Sequence, residues 1–354
     1  MKDSLAELID AAAAQREPYV VATVVRVHGS SYRRPGARLL ATRDGQRIAG
    51  SISGGCLEGA LLRTAWWRTE HGPALVEFDS SDPDTTDGVL GCGGVVEVLV
   101  ERVAPGEGPL AFAARMIDER RRGAIATVFA TTRAAEPIGR RWLVAGATAD
   151  DVGRAELPGA LVEPCTRAML SGKPSVEDVG PTSVLVEPIV PPLELFVFGG
   201  GLDAVPIVEH ARQLGWLAHV CPGSPRFEHA TRFAAAESLD SDLAAACAEI
   251  DRADRAAAII MNHDLRRDAA ALHAVLATRA RYIGVLGPRH RTESLLCADE
   301  LADPRLHAPV GLDLGAETPA EIALAVAAEV LADDRAATAR ALRDRKAAAT
   351  PSRA

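Results

Sequence analysis

The run FVFGGGLDAVPIVEHARQLG, starting at Phe196, leaves the chain little choice of local fold. An apolar segment at 195–198 meets Gly199, Gly200 and Gly201, and a helical pattern starts at once. This is the order strand, tight turn, helix. Glycines in such a turn let the backbone bend sharply and let an anion approach the N–H groups and dipole at the helix start. The spacing Gly199-x-Gly201-x-x-Ala204 fits a dinucleotide-type phosphate loop. Its place after a strand and before a helix makes it informative, since the glycine spacing alone is common.

Downstream of the loop, strand and helix patterns alternate as in a parallel α/β sheet. The helix at 204–214 leads to a strand at 216–221, a second strand at 256–262, a helix at 268–278 and a third strand at 282–286. PVGLDLG (309–315) reads as a further strand. The last helix opens on Thr318-Pro319-Ala320-Glu321, a capping box with proline at the first helical position. Ligands in such sheets bind beyond the carboxyl ends of the strands. Gly199, Gly200, Gly201, His263, Asp264, Gly287 and Arg289 all fall at such ends. His263 and Asp264 are acid/base candidates, while His263 equally reads as a plain loop residue. Asp264 and Asp268 both read as possible N-caps, Asp268 the better. Arg289, His290 and Arg291 form a basic run that suits either solvent or a phosphate. A nicotinamide site also calls for an acid about 20 residues past the first glycine. Here no acid lies between Glu209 and Glu228, and the second strand runs into Pro222 and Gly223.

The first hundred residues have a different character. A helix at 4–16 precedes a β-branched strand at 19–27, YVVATVVRV. The polar loop HGSSYRRPG carries Arg33 and Arg34, and a hairpin signal follows at Asp44-Gly45. Cys56 comes directly after Gly54 and Gly55 and opens a helical pattern; a helix start lowers a thiol's pKa. The competing reading is a small residue packed at a turn. Cys92 stands between Gly91 and Gly93, just before the alternating strand at 95–100. Glycines there suit close approach of a ligand, and equally a β-bulge. The six cysteines show no CxxC pairing, which fits free thiols in a reducing compartment.

Strands are expected near 124–132 and 140–146, a helix near 110–121, and a mixed polar stretch at 147–181. Pro191-Pro192 is the natural linker. The expected domains are 1–105, a middle segment 106–190 belonging with it, a Rossmann-like domain 191–340 and a frayed tail 341–354. The fold class is thus α/β: an N-terminal α/β domain with glycine–cysteine motifs plus a C-terminal Rossmann-like parallel-sheet domain. The net charge of −9 argues against a nucleic-acid partner. The absence of a signal peptide or an apolar run of spanning length predicts a cytoplasmic protein with no membrane partner.

Taken together, GSSYRRPGARLL, GSISGGCLEGAL, GVLGCGGVVEVLVE, FVFGGGLDAVPIVEHARQLGW, MNHDLRRDAAAL, YIGVLGPRHRTESLL and PVGLDLGAETPAEIALAVAAEVL resemble the XdhC/CoxI family of molybdenum-hydroxylase maturation factors. The likeness runs in order from about residue 20 to residue 331. It implies a chaperone that binds molybdenum cofactor (molybdopterin bearing Mo), supports its sulfuration with a cysteine desulfurase, and inserts it into an apo molybdenum hydroxylase such as xanthine dehydrogenase. Under it, Cys56 and Cys92 are candidate contacts to the molybdenum centre, as soft thiolates suit a metal–sulfur site. Arg33 and Arg34 would face the cofactor phosphate, and the Rossmann half would hold a nucleotide or the pterin phosphate. A homodimer is expected. Two departures stand out: Leu202 and Asp203 replace the family's usual His and small apolar residue after the glycines. The alternative is an oxidoreductase dependent on NAD(P) or FAD. The chain reads more as an insertion factor than as a turnover enzyme.

Overall fold

The computed structural model describes residues 5–29, 32–53, 58–79, 94–146, 156–224 and 230–344. The chain divides into two compact units, Met1–Pro191 and Pro192–Ala354.

The N-terminal unit is built on two antiparallel sheets. The first has the order β3-β2-β1-β5-β4, from β1 (Tyr19–His28), β2 (Arg38–Ala41), β3 (Arg47–Gly50), β4 (Ala74–Asp79) and β5 (Val95–Val103). The second has the order β7-β6-β9-β8, from β6 (Gly123–Thr131), β7 (Arg141–Ala145), β8 (Ser175–Val179) and β9 (Thr182–Ile189). The β-branched alternation of β1 sends Val20, Ala22 and Val24 to one face, where α2 (Glu58–Arg68) covers them with Leu61 and Ala65. Its other face meets α1 (Leu5–Ala13) and α3 (Gly108–Asp118) through Tyr19, Val21, Leu8 and Leu110. Val25 and Leu99 of the first sheet pack on Phe129 and Leu185 of the second. The outer face of the second sheet is closed by α4 (Gly159–Ser171). This helix lies inside the stretch read as mixed and polar. Pro164 and flanking Gly and Pro mask its pattern, but Leu161, Cys165, Ala168 and Met169 are buried at helical spacing.

The C-terminal unit is a six-stranded parallel sheet of order β12-β11-β10-β13-β14-β15. Its strands are β10 (Glu194–Phe198), β11 (Leu217–Cys221), β12 (Ser238–Leu239), β13 (Ala256–Ile260), β14 (Tyr282–Val285) and β15 (Leu306–His307). Counted within the unit this is 3-2-1-4-5-6, the doubly wound order of Rossmann-like folds. The central strands are short and apolar on both faces, because helices cover both. Leu195 and Val197 face α5 (Ala204–Gln213) and α10 (Pro319–Asp334). Phe196 and Phe198 face α6 (Leu243–Arg252) and α7 (Leu265–Leu276). Two short helices, α8 (Arg289–Glu293) and α9 (Ala298–Leu301), join β14 to β15.

Thr318 caps α10 with the expected capping box, its hydroxyl accepting from Glu321 N while Glu321 accepts from Thr318 N. Two expectations are corrected. The edge strand is Leu306–His307, not 309–315; there the chain leaves the sheet, although Val310 N still bonds Val285 O. The helix expected at 268–278 begins at Leu265, with Asp264 as its N-cap. Among the described residues, no helix is long and apolar enough to cross a membrane.

Candidate functional site

In the C-terminal unit the strand order reverses between β10 and β13, and a doubly wound sheet opens a crevice at that point. The turns after these two strands carry the glycines and His263. Gly199 follows β10 directly; its N–H donates to Cys221 O, and a Cβ there would sit 2.6 Å from Met261 O. Only glycine lets the two turns pass this closely. Gly200 O accepts from Arg232 Nη1 at 3.0 Å. At Gly201 a Cβ would overlap Asp203 Oδ1 and lie 3.8 Å from His263 Nε2.

Asp203 precedes α5 but makes no capping hydrogen bond with its side chain. It turns instead to His263, whose Nε2 lies 2.7 Å from Asp203 Oδ2. His263 is exposed and left-handed, with φ of 60°. A non-glycine residue holds that conformation only where its surroundings fix it. The His263 side chain is held by Asp203, and the residue before it, Asn262, is held by Asp268, which is completely buried. Its Oδ1 accepts from Asn262 N at 2.9 Å and Asn262 Nδ2 at 3.2 Å, and its Oδ2 takes Arg291 Nη2. Asp268 is therefore no helix cap, although the sequence made it the better candidate. That role falls to Asp264, which accepts from Arg266 N and Arg267 N; these backbone bonds hold its carboxyl below the usual range.

Gly287 has φ of 123° and backs onto Arg291, and Arg289 is exposed at the start of α8. Arg291, rather than Arg289, reaches the crevice turn. At the end of β11, burial pushes the Cys221 thiol up to about 11, so it is not an anionic ligand at neutral pH. The crevice thus presents a carboxylate–imidazole pair over the glycine turn. Asp203 stands where a pyrophosphate would come, and this arrangement does not fit a dinucleotide laid on the turn in the usual way.

In the N-terminal unit Gly54, Gly55, Cys56, Gly91, Cys92 and Gly93 lie outside the described residues. The residues flanking Cys56 in sequence are tied together. Glu58, buried at the start of α2, accepts from Ser51 Oγ at 2.9 Å, Ile52 N at 3.2 Å, Ser53 N at 2.9 Å and Ser53 Oγ. Burial alone would raise this carboxyl; the bonds from Ser53 and Ser51 outweigh it and hold it below its ordinary value. Arg33 joins the same segment, its Nε donating to Ser51 O at 2.9 Å, while Arg34 is exposed at the turn before β2. Glu58 follows no capping-box spacing, so the sequence carried no signal for it. Among the described residues no group of three or more His, Cys, Asp or Glu could hold a metal ion.

Glu58→Ala removes the acceptor shared by the Ile52 and Ser53 backbone N–H groups and the Ser51 and Ser53 hydroxyls, and is expected to cost about 2–3 kcal/mol in denaturant unfolding. Because its folded pKa is lowered, the wild-type contribution is full above about 4.5, the ordinary carboxyl value, and is lost as pH falls from there through the folded value. A loss below about 0.5 kcal/mol, or one unchanged by acid, would show that the clamp contributes little.

Residues 12–79 match the XdhC and CoxI family, and residues 195–330 match the XdhC Rossmann domain. The chain belongs to the XdhC and CoxI family. It is 28% identical over 329 residues to a Bacillus subtilis (strain 168) protein described as a probable xanthine dehydrogenase subunit, covering 92% of this chain and 96% of the relative. It is 26% identical over 318 residues to the molybdenum cofactor insertion chaperone PaoD of Escherichia coli (strain K12), covering 88% of this chain and 82% of that protein. A Bacillus halodurans crystal structure described as a xanthine dehydrogenase superposes with a TM-score of 0.70 at 28% identity, covering 99% of this chain and 98% of the other. The XdhC identification and the Rossmann-like class of the C-terminal unit, both expected from the sequence, hold.

Proposed function

We propose that this member of the XdhC and CoxI family is a cytoplasmic carrier and insertion chaperone for molybdenum cofactor. Its recipient is a xanthine dehydrogenase-type molybdenum hydroxylase. The observation that carries this reading is the extent of the likeness to the insertion chaperone, which takes in 88% of the chain. A shared Rossmann half would give much less. The cofactor is cargo here. Cys56 and Cys92 would meet its metal–sulfur end, since thiolates are soft donors. Arg33, already turned to the segment before Gly54, suits its phosphate, as does Arg34 beside it. Glu58 and Arg33 together brace the residues leading into Cys56. A cysteine desulfurase partner would supply sulfur while the carrier, as a homodimer, holds the cofactor.

The C-terminal crevice supports a smaller role under this reading. The His263 imidazole, held by Asp203, offers a ring N–H to a bound anion, and the doubly wound order favours a nucleotide-like ligand nearby. The oxidoreductase alternative, with His263 and Asp264 as acid and base and NAD(P) or FAD as cofactor, is the poorer fit, because Asp203 adjoins the helix start where the pyrophosphate would bind.

The test is mass spectrometry of small molecules released from protein purified from a molybdenum-replete host. Molybdopterin at near one per chain is expected, falling several-fold in Cys56→Ala and in Cys92→Ala. Unchanged content in both variants would remove the thiols from the mechanism. Release of a flavin or nicotinamide nucleotide without molybdopterin would favour the oxidoreductase.

A further inference from the structure

We propose that the exposed face of α2 docks an acidic protein surface, that of the recipient hydroxylase; the choice of partner rests on the carrier reading above. Leu61 and Ala65 fix the inner side of α2 on the first sheet. The outer side carries Trp67, 60% exposed, with Arg63 and Arg68, both exposed. The Arg68 guanidinium lies 5.2 Å from the centre of the Trp67 ring. Trp66 beside it is flanked by Arg43 at 5.5 Å and Arg102 at 4.1 Å.

Arg102 has a structural duty. Its Nε donates to Trp66 O at 3.2 Å and to Thr69 Oγ1 at 3.1 Å, closing the carboxyl end of the helix. Arg68 also bonds within the helix, its Nε donating to Thr64 Oγ1 at 3.1 Å. These bonds still leave Arg43 and Arg68 set over indole rings on one short helix and its neighbouring turn, with Trp67 exposed to solvent. Asp44 and Glu70 adjoin the set in sequence, but the arginines outnumber them, in a chain whose net charge is −9. Tryptophan and arginine are the residue types that dominate binding hot spots. Guanidinium groups already stacked on the rings lose little freedom on association. The charge selects an acidic partner and speeds its encounter. Nucleic acid is the poorer fit, because the rest of the chain repels it. The position suits delivery: α2 begins at Glu58, two residues after Cys56, so a protein held on this helix engages the element that continues the cysteine segment.

The experiment titrates the full-length protein with the apo xanthine dehydrogenase-type hydroxylase of the same organism, purified from molybdate-starved cells, at about 50 mM and about 300 mM salt. Wild type is expected to bind, and more weakly at the higher salt. Trp67→Ala and the pair Arg63→Glu with Arg68→Glu should each weaken binding about tenfold or more. The pair Arg63→Lys with Arg68→Lys should retain most of it. All variants should keep the thermal midpoint and molybdopterin content of wild type, since none of these side chains is buried; if the charge-reversed pair fails to fold, Trp67→Ala decides. Unchanged binding in Trp67→Ala and in the charge-reversed pair overturns the proposal. So does a wild type that carries molybdopterin but does not bind the hydroxylase, a result that leaves the carrier reading standing. Loss of self-association or of RNA binding in the variants, with hydroxylase binding intact, also overturns it. A wild type that binds the hydroxylase through this face but holds no molybdopterin supports the docking surface and strikes the carrier reading instead.

Discussion

Asp268→Ala is expected to destabilise the C-terminal unit by about 3–5 kcal/mol, the cost of removing one partner from a buried ion pair. The wild-type carboxylate is fully buried and serves three donors: Asn262 N, Asn262 Nδ2 and Arg291 Nη2. Removing it leaves a guanidinium that cannot shed its charge in a region of low dielectric. Arg291 has no ready replacement, since its Nε is already buried without a partner among the described residues. Asp268→Asn keeps the shape and one acceptor, and should cost clearly less. The effect reaches the crevice through Asn262, the residue before His263. Once Asn262 is released, the clamp no longer holds His263 at its left-handed φ, and the bond to Asp203 should be lost. The checks are chemical denaturation of the full chain and the His263 imidazole signal by NMR in a folded Asp268→Asn sample. A cost under about 1 kcal/mol for the alanine variant would show that Arg291 finds water or another acceptor.

The same residue marks where the sequence could be read and where it could not. Residues 268, 271, 272 and 275 fall on one face of α7, and Ala271, Leu272 and Val275 are apolar, so the helical period already placed Asp268 toward the core. An acid at such a position needs a buried partner, and reading it as a cap overlooked this. The partner itself was beyond reach, because Arg291 comes 23 residues later and arrives by way of β14. The longer strands of the parallel sheet were legible because each is apolar on both faces and bounded by glycine or a polar turn. The two-residue strands β12 and β15 were not, since their placement depends on pairing with β11 and β14 rather than on their own pattern. The glycine turn was legible as a turn. What stands over it was not: Asp203 adjoins the N-terminus of a helix, where an acid is ordinary, and only the fold brings His263 within 2.7 Å. At the other end of the chain the glycine–cysteine motif was plain in the sequence, whereas Glu58 emerged only from the donors it collects.

Glu187→Ala is the second large effect expected, and it tests how the two sheets of the N-terminal unit are joined. Arg38 on β2 and Glu187 on β9 meet at 2.7 Å, each side chain only 7% exposed. The turn before β2 is shaped around the contact: Gly36 has φ of 93°, and a Cβ there would lie 3.1 Å from Glu187 Oε1. Arg38 Nη1 reaches Gly36 O at 3.4 Å, a long bond, and its Nε is buried without a partner among the described residues. With Glu187 gone, the guanidinium keeps its charge and loses the carboxylate paired with it, so a loss of about 3–5 kcal/mol follows. Removing both charges is a different experiment. Arg38→Met with Glu187→Leu replaces the pair by apolar groups of similar volume and should recover most of that loss, because the desolvation cost of both ions disappears. The double-mutant cycle, read from denaturant unfolding, separates the two terms. If the single variant costs less than about 1 kcal/mol, the contact is bystander to the packing of Val25, Leu99, Phe129 and Leu185. If the double variant is no better than the single, the pair contributes to joining the sheets in a way that apolar packing cannot replace.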